Sequence, residues 1–513
     1  MIYQYLFSDL HSNIHHEQIE HIDEWYQQAK EMLDFWAIAY YPYYIREDIK
    51  GIPLEDIHPI DKVQEDWNII NEFVKAKNKS NPEFPLFLGY EWQGAGLDGD
   101  HNVFFKDIGP LVNPRRYIDL YKDLLGYSVI AVPHHLAYSL SHRGKNWATH
   151  IDEFSPVVEI YSSHGSSESA DTDLPMTRHV HMGPRTGGTS VFDGLILGYK
   201  VGIIASGDNH VVPAQYGHGF AGILAKDKSK DEIWDALIKR RVYGMTSGRV
   251  KLLYEINENV MGSEFKTADR MLTHHIKIET QDSIDRVVIY KNGKPHFTYN
   301  YAEKWIEKPL DKILKFKFKL EFGWGPDLKI YPDIQNKIWN GSLKTSGSIK
   351  SIEKCWSSFG QSLNLLDDSY CRFKLTTRKT TQSGKWMGPS PVTTEGFVFE
   401  IEADINSDII IEIDGKKYIR KVSELFKNTD VIVFLEESKK LAKERFDFTE
   451  YYRSDPFYHN AYKVRVNKAK PEVSYKIDKE FKLEFNEDAF YLIKVYQSDG
   501  AVAWSSPIWV SKG

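Results

Sequence analysis

Two cysteines, Cys355 and Cys371, are all the thiol this 513-residue chain carries. Neither lies in a CxxC pair or a Cys/His pattern, which argues against a disulfide framework and a cysteine-based metal site. No apolar run approaches the ~20 residues needed to cross a bilayer. A surplus of one charge sign is missing too: 65 basic residues face 72 acidic ones, for a net charge of -7. There is no electrostatic case for nucleic acid or for an anionic membrane as a partner. The N-terminus shows no basic segment, long apolar core or cleavage site, and Ile2 to Phe7 reads directly as a strand. No signal peptide is visible, and a cytoplasmic location is the expectation. Internal repeats and low-complexity segments are absent.

What the chain does have is length enough for two or three domains, many aromatic residues (14%, with 30 Tyr and 13 Trp) and a lopsided distribution of histidine. Of 19 histidines, fifteen precede residue 220. Chemistry is therefore sought in the first half. There, near-continuous apolar runs at 3–7, 34–40, 85–90, 128–133, 156–161 and 201–206 read as strands buried on both faces. Helical spacing separates them: Ile19, Ile22, Tyr26, Ala29 and Leu33, then Val63, Trp67, Ile70 and Val74. Ser229 with Glu232 is a helix start signal. This alternation predicts an α/β domain over 1–250 with a parallel sheet, open or closed into a barrel. Beyond 250 the pattern turns to short alternating segments, with Asn292-Gly293 and Asp414-Gly415 as hairpin turns. Residues 251–513 read as mainly antiparallel β, a sandwich or two small sheets, with an inserted segment near 300–390.

The ends of the N-terminal strands carry the ligands. The first ends in DLHSNIHH, with Asp9, His11, Asn13 and His15; the third ends in Glu91 of GYEW, and HNVFF brings His101. The fourth ends in His134 and His135, the fifth carries Glu159 and runs on to His164, and the sixth ends in Asp208 and His210 of SGDNH. Strand ends meet on one face in parallel α/β folds, and that face carries the site. The donors are all nitrogen or oxygen, suited to zinc, manganese or iron. A bridging carboxylate among imidazoles holds one or two divalent ions, lowers the pKa of bound water and points to hydrolysis.

DLHSN, DFWAIAYY, GYEW, HNVFF, VPHH and SGDNH resemble the successive motifs of the PHP-type metallohydrolases, the polymerase and histidinol phosphatase superfamily. HGFAGILAKDKSKDEIWDALIKRRVYGMTSGR and YLIKVYQSDGAVAWSSPIWV are similar to one branch, long catalogued as a domain of unknown function, that includes carbaryl hydrolases. The resemblance implies a distorted TIM-like barrel followed by the β region. It implies metal binding by His11, Glu91, His101, His134, Asp208 and His210, with Glu91 bridging. Two positions depart from the family pattern. Asn13 stands where the second histidine of HxH is usual, and Ala39-Tyr40-Tyr41 stands for Thr-Asp-His. An amide oxygen binds metal more weakly than imidazole, so Asn13 weakens one position, and His15 lies close enough to substitute.

The function expected is a metal-dependent hydrolase whose metal-bound hydroxide cleaves an ester-type bond in a small molecule. The bond is a carboxyl or carbamate ester, or a phosphoester. Glu91 holds the metal, and His164 or His135 protonates the leaving group. Arg178, His181 and Arg185 in MTRHVHMGPRTGG, with Tyr41, are the candidate substrate contacts. Homo-oligomerisation stays open. The competing reading is a degenerate PHP-like binding module for a sugar or aromatic ligand, with Asn13, Tyr40 and Tyr41 as its marks.

Overall fold

A computed structural model of the chain describes residues 3–47, 53–57, 60–176, 185–301, 310–325, 333–377, 394–447 and 461–513. The six N-terminal apolar runs all form strands: Gln4–Ser8, Trp36–Tyr40, Leu86–Trp92, Val129–Pro133, Val157–Ser162 and Gly202–Ala205. Helix Ile22–Met32 buries Ile22, Trp25, Tyr26, Ala29 and Met32 along one stripe, and Asp23 and Glu24 lie favourably in its first turn. Helix Ile60–Ser80 turns Val63, Trp67, Ile70 and Val74 inward. The Ser229 hydroxyl accepts from the Glu232 N–H and starts helix Lys230–Ile238.

The strands are not uniformly parallel, and among the described residues they do not close into one hydrogen-bonded barrel. Ser12–Ile14, Trp36–Tyr40 and Leu86–Trp92 run parallel, but His101–Phe105 folds back as an antiparallel strand between Leu86–Trp92 and Val129–Pro133. Val157–Ser162 and Gly202–Ala205 form a separate parallel pair. Gln4–Ser8 pairs antiparallel with Phe220–Ala225. The three ladders nonetheless surround one apolar core, in which Leu6, Ala37, Phe87, Phe104, Val132, Val157, Ile204 and Ala221 meet. That shared core is what brings their ends together, because each continuous apolar strand must bury both faces.

The expected boundary near 250 is crossed by a ladder. Gln4–Ser8, Phe220–Ala225 and Val242–Met245 continue through Val502–Ser505 and Ala489–Gln497 to the hairpin Ile284–Lys291 and Lys294–Asn300. Asn292 and Gly293, at φ 50° and 76°, make the turn that the sequence signalled. Farther out, two sheets stack face to face through Phe322, Trp339, Phe373 and Phe397. Among the described residues no helix is long and apolar enough to cross a membrane.

A buried ion pair joins the last strands to the N-terminal half. Lys494 Nζ lies 2.7 Å from Glu168 Oε2, and the Trp504 indole N–H donates to Glu168 Oε1 at 3.1 Å. Both charges are almost fully enclosed, at 2% and 3% side-chain exposure. Lys494 has a second carboxylate partner in Asp173 at 3.1 Å, so it is removal of Lys494 that strands a charge, the Glu168 carboxylate. Lys494→Met is expected to lower stability by about 3–5 kcal/mol, read from chemical denaturation. Adding Glu168→Gln is expected to recover much of that loss. Equal stability of wild type and Lys494→Met would contradict this account.

Candidate metal centre

Asp9 fixes the segment that follows the first strand. Its Oδ1 accepts from the backbone N–H of His11 (3.0 Å) and of Gly207 (2.8 Å). Its Oδ2 accepts from the Ser12 hydroxyl (2.6 Å) and the Ala214 N–H (2.9 Å). Asp9 thus fastens residues 9–14 to the 206–214 loop. The Asn13 N–H donates to the Asn209 carbonyl at 2.9 Å along the same seam. A Cβ on Gly207 would come within 2.7 Å of the Asn209 side-chain amide and 2.8 Å of Asp9 Oδ2, so a larger residue here would have to push these side chains aside. Asp208, held at φ 45°, and His135, at φ 34°, adopt left-handed backbone. Such strain in non-glycine residues costs on the order of 1–3 kcal/mol and gathers at functional sites.

His11 is the hub of what this seam assembles. Its Nδ1 lies 2.9 Å from Glu159 Oε2, and its Nε2 lies 3.4 Å from both Glu91 Oε2 and Asp208 Oδ1. Glu91 Oε1 accepts from Gln93 Nε2 at 2.8 Å and stands 3.6 Å from His134 Nε2. Among the described residues three donor groups result: His11, Glu91 and His134; His11, Glu159 and Asp208; and Asp100, His134 and His135, the atoms of each group lying within 4.8 Å of one another. Every member is buried.

Burial and mutual charge shape the protonation of this cluster. Burial pushes the His11 pKa down, yet the Asp208 and Glu159 carboxylates outweigh it and hold His11 well above its usual 6.5. Burial drives Glu91 up, but the neighbouring His11 and His134 rings reverse this and hold it well below the usual carboxylate value. Glu159 is raised by burial, only partly opposed by His11. His134 is lowered by burial and by the neighbouring His11 and His135.

The residues present fit a divalent cation. His134 keeps both ring nitrogens, and Asn13 both amide atoms, buried without a hydrogen-bond partner. Such atoms cost roughly 1–3 kcal/mol each when left unsatisfied, and a cation takes the lone pairs of an imidazole nitrogen and an amide oxygen. The His11 geometry fits as well. With Nδ1 directed at the Glu159 carboxylate, Nε2 faces Glu91 and Asp208. Metal-binding imidazoles are oriented through their second nitrogen in this way. The donors are nitrogen and oxygen without sulfur, a set suited to a divalent transition metal.

The sequence-derived candidates divide into those brought together and those held apart. His11, Glu91, His134 and Asp208 converge, with Asn13 buried beside His11 in the chain. His15 and His210 pair with each other, Nε2 to Nδ1 at 2.7 Å, and both rings face Tyr41. His210 Nε2 is 3.9 Å from Asp208 Oδ1. His135 Nε2 lies 3.4 Å from Asp100, and His164 contacts the Tyr138 hydroxyl (2.7 Å) through Nδ1 and Asp208 Oδ2 (3.0 Å) through Nε2. His101 does not join the cluster: its Nδ1–H donates to the Gly99 carbonyl (2.8 Å), and Lys145 Nζ occupies its Nε2 side at 3.0 Å. Tyr41 is buried, and its hydroxyl accepts from Gln93 at 2.6 Å. Tyr40 donates to Asp66, which also pairs with His16. Arg185 is tied by its Nη1 to the Ser166 and Leu174 carbonyls, at 2.8 Å each. Arg178 and His181 lie outside the described residues.

Sequence reasoning missed Asp100, Arg143 and Lys145. Asp100 sits directly before His101, and Arg143 and Lys145 lie in HRGK, residues 142–145. Nothing in so short a stretch tells a buried pair from a solvated turn.

No family model matches the chain. It is 27% identical over 257 residues to an uncharacterized protein of Chlamydia pneumoniae, which is 45% of this chain and 40% of that protein. An uncharacterized protein of Chlamydia muridarum matches at 25% over 215 residues, 38% of this chain and 34% of its own length. The match thus spans well under half the length of these curated relatives. Among solved structures, a two-domain protein from Bacteroides vulgatus containing a predicted PHP-like metal-dependent phosphoesterase is similar over 82% of this chain and 95% of its own. The identity is 14% and the TM-score 0.32.

Lys145 yields a pH prediction. Burial, opposed only by Asp98, lowers its pKa from 10.5 to about 7. Between these values the folded chain holds a neutral amine while the unfolded chain stays protonated. The unfolded state therefore binds more protons, and stability rises with pH. Lys145→Met is expected to remove this contribution, a slope of about 1.4 kcal/mol per pH unit, from unfolding free energies measured between pH 7 and 10. Identical pH slopes in the two proteins would contradict it.

Proposed function

We propose that the chain is a metal-dependent hydrolase of the PHP-like kind that cleaves an ester-type bond in a small molecule. The observation that carries this reading is the buried meeting of His11, Glu91, His134 and Asp208 ligand atoms, with His134 and Asn13 atoms left without hydrogen-bond partners. In this reading His11 Nε2, Glu91, His134 and Asp208 would hold the ion, and Asn13 Oδ1 would be a weaker ligand. A divalent metal, when bound, polarises the acceptor oxygen of the substrate and makes water nucleophilic at neutral pH.

The remaining work falls to the chain's own side chains. Glu159 orients His11 through Nδ1, and Tyr138 and His164 together orient Asp208. His135 carries the leaving-group proton on Nδ1, a buried atom without a hydrogen-bond partner. His164 engages both ring nitrogens and acts by positioning instead. Tyr41, His15 and His210 line one side with aromatic rings, a surface suited to a ring-bearing substrate.

The charges around the site bear on the type of ester. Among the described residues, Arg143 is committed to Asp100, and Arg185 to two backbone carbonyls. These commitments favour a carboxyl or carbamate ester over a phosphomonoester dianion, which calls for cationic donors of its own.

The test compares an aryl ester, an aryl carbamate and an aryl phosphate. Turnover is expected on one of the first two, lost on chelation, restored by Mn2+ or Zn2+, and lowered about 10²–10⁴-fold by Glu91→Gln or His135→Gln. Turnover of the aryl phosphate alone would replace the ester type. Background activity unchanged by Glu91→Gln would favour the binding-module reading.

A further inference from the structure

Of the three donor groups at the site, one already holds a cation. Arg143 Nε donates to Asp100 Oδ2 at 2.6 Å, Arg143 Nη2 contacts the same oxygen, and Nη2 also lies 3.7 Å from Glu91 Oε1. The same Asp100 oxygen faces His135 Nε2 at 3.4 Å. Asp100 is fully buried, and the Arg143 side chain is only 12% exposed. The turn that aims Arg143 inward is strained: Arg143 has φ 68°, Ser141 has φ 67°, and the Arg143 N–H is fastened to the Gly96 carbonyl at 3.0 Å. Non-glycine residues reach this backbone region only where the surroundings enforce it.

We infer that the Arg143 guanidinium takes the place of a metal ion, so that the Asp100, His134 and His135 group binds none. This rests on the metal-centre reading above. A guanidinium keeps its proton under all ordinary conditions. A divalent ion on Asp100 Oδ2 would sit about 2.0–2.2 Å from that oxygen. It would face two guanidinium nitrogens hydrogen-bonded to the same atom, and on Oδ1, which is buried without a hydrogen-bond partner, it would still share one small carboxylate with that guanidinium, like charges packed in a buried space. Among the described residues the His11, Glu159 and Asp208 group has no such fixed cation, and in the His11, Glu91 and His134 group the guanidinium stands off at 3.7 Å from Glu91 Oε1 while Oε2 faces His11. Arg143 gives Asp100 its counter-charge without any coordination geometry. It thereby confines metal to the side of the cluster around His11 and leaves His135 free of metal. The centre then takes two ions at most.

Crystals of the full chain soaked in excess Mn2+, with anomalous difference maps and metal-to-protein ratios in solution, test this. The wild type is expected to show peaks against His11, Glu91 and Asp208 and none against Asp100. Arg143→Gln is expected to gain one ion per chain, seated on Asp100. Asp100→Asn is expected to leave the wild-type ratio unchanged, a second readout should Arg143→Gln fail to fold. A wild-type peak on Asp100, a ratio unmoved by Arg143→Gln, or a ratio lowered by Asp100→Asn would overturn the inference while leaving the metal centre standing. Wild-type protein that retains no Mn2+ and shows no peak would overturn the metal reading itself, and this inference with it.

Discussion

The site depends on one imidazole held among three carboxylates. His11 meets Glu159 through one nitrogen and Glu91 and Asp208 through the other, all of them buried. Carboxylates buried this closely repel one another, and in an interior of low effective dielectric that repulsion is strong. A proton on His11 relieves it in the metal-free state, which is why the His11 pKa rises despite burial. A divalent ion bound there would relieve it more fully and displace that proton. The geometry around His11 is in turn inherited from Asp9, whose four hydrogen bonds hold the first strand's exit against the 206–214 loop.

The fold serves this arrangement by letting ladders of different direction share one core. Leu86–Trp92 delivers Glu91 and Val129–Pro133 leads to His134, although an antiparallel strand runs between them. Val157–Ser162 carries Glu159, and Gly202–Ala205 leads into the loop of Asp208. On the outer side the last strands of the chain complete the ladder begun by Gln4–Ser8. The buried Lys494–Glu168 pair locks those strands to the segment that follows His164.

Much of this was legible in the sequence for a physical reason. Strands buried on both faces read as continuous apolar runs, and His11, Glu91, His134 and Asp208 stand where those runs stop. Ladder direction was not legible. HNVFF has the same apolar character whether it runs parallel or antiparallel, and the reversal is set by its pairing with Leu86–Trp92. Nor were Arg143 and Lys145 legible, because their partners Asp100 and His101 lie more than 40 residues away. His101 illustrates the limit of local reading. Its position at a strand end matches a ligand, but the Gly99 carbonyl and Lys145 engage its two nitrogens. Asn13 is the opposite case. An amide looks like the loss of a ligand, yet its two polar atoms, two residues on from His11, are buried without hydrogen-bond partners.

The central claim is that His11 organises a site for divalent metal. Calorimetric titration of Mn2+ or Zn2+ into chelator-treated protein tests it directly, with His11→Ala as the comparison and circular dichroism to check that both are folded. Saturable binding by the wild type, lost or severely weakened in folded His11→Ala, is the predicted result. Chelator-treated wild type that takes up neither ion, or His11→Ala binding both as tightly as the wild type, would contradict the account.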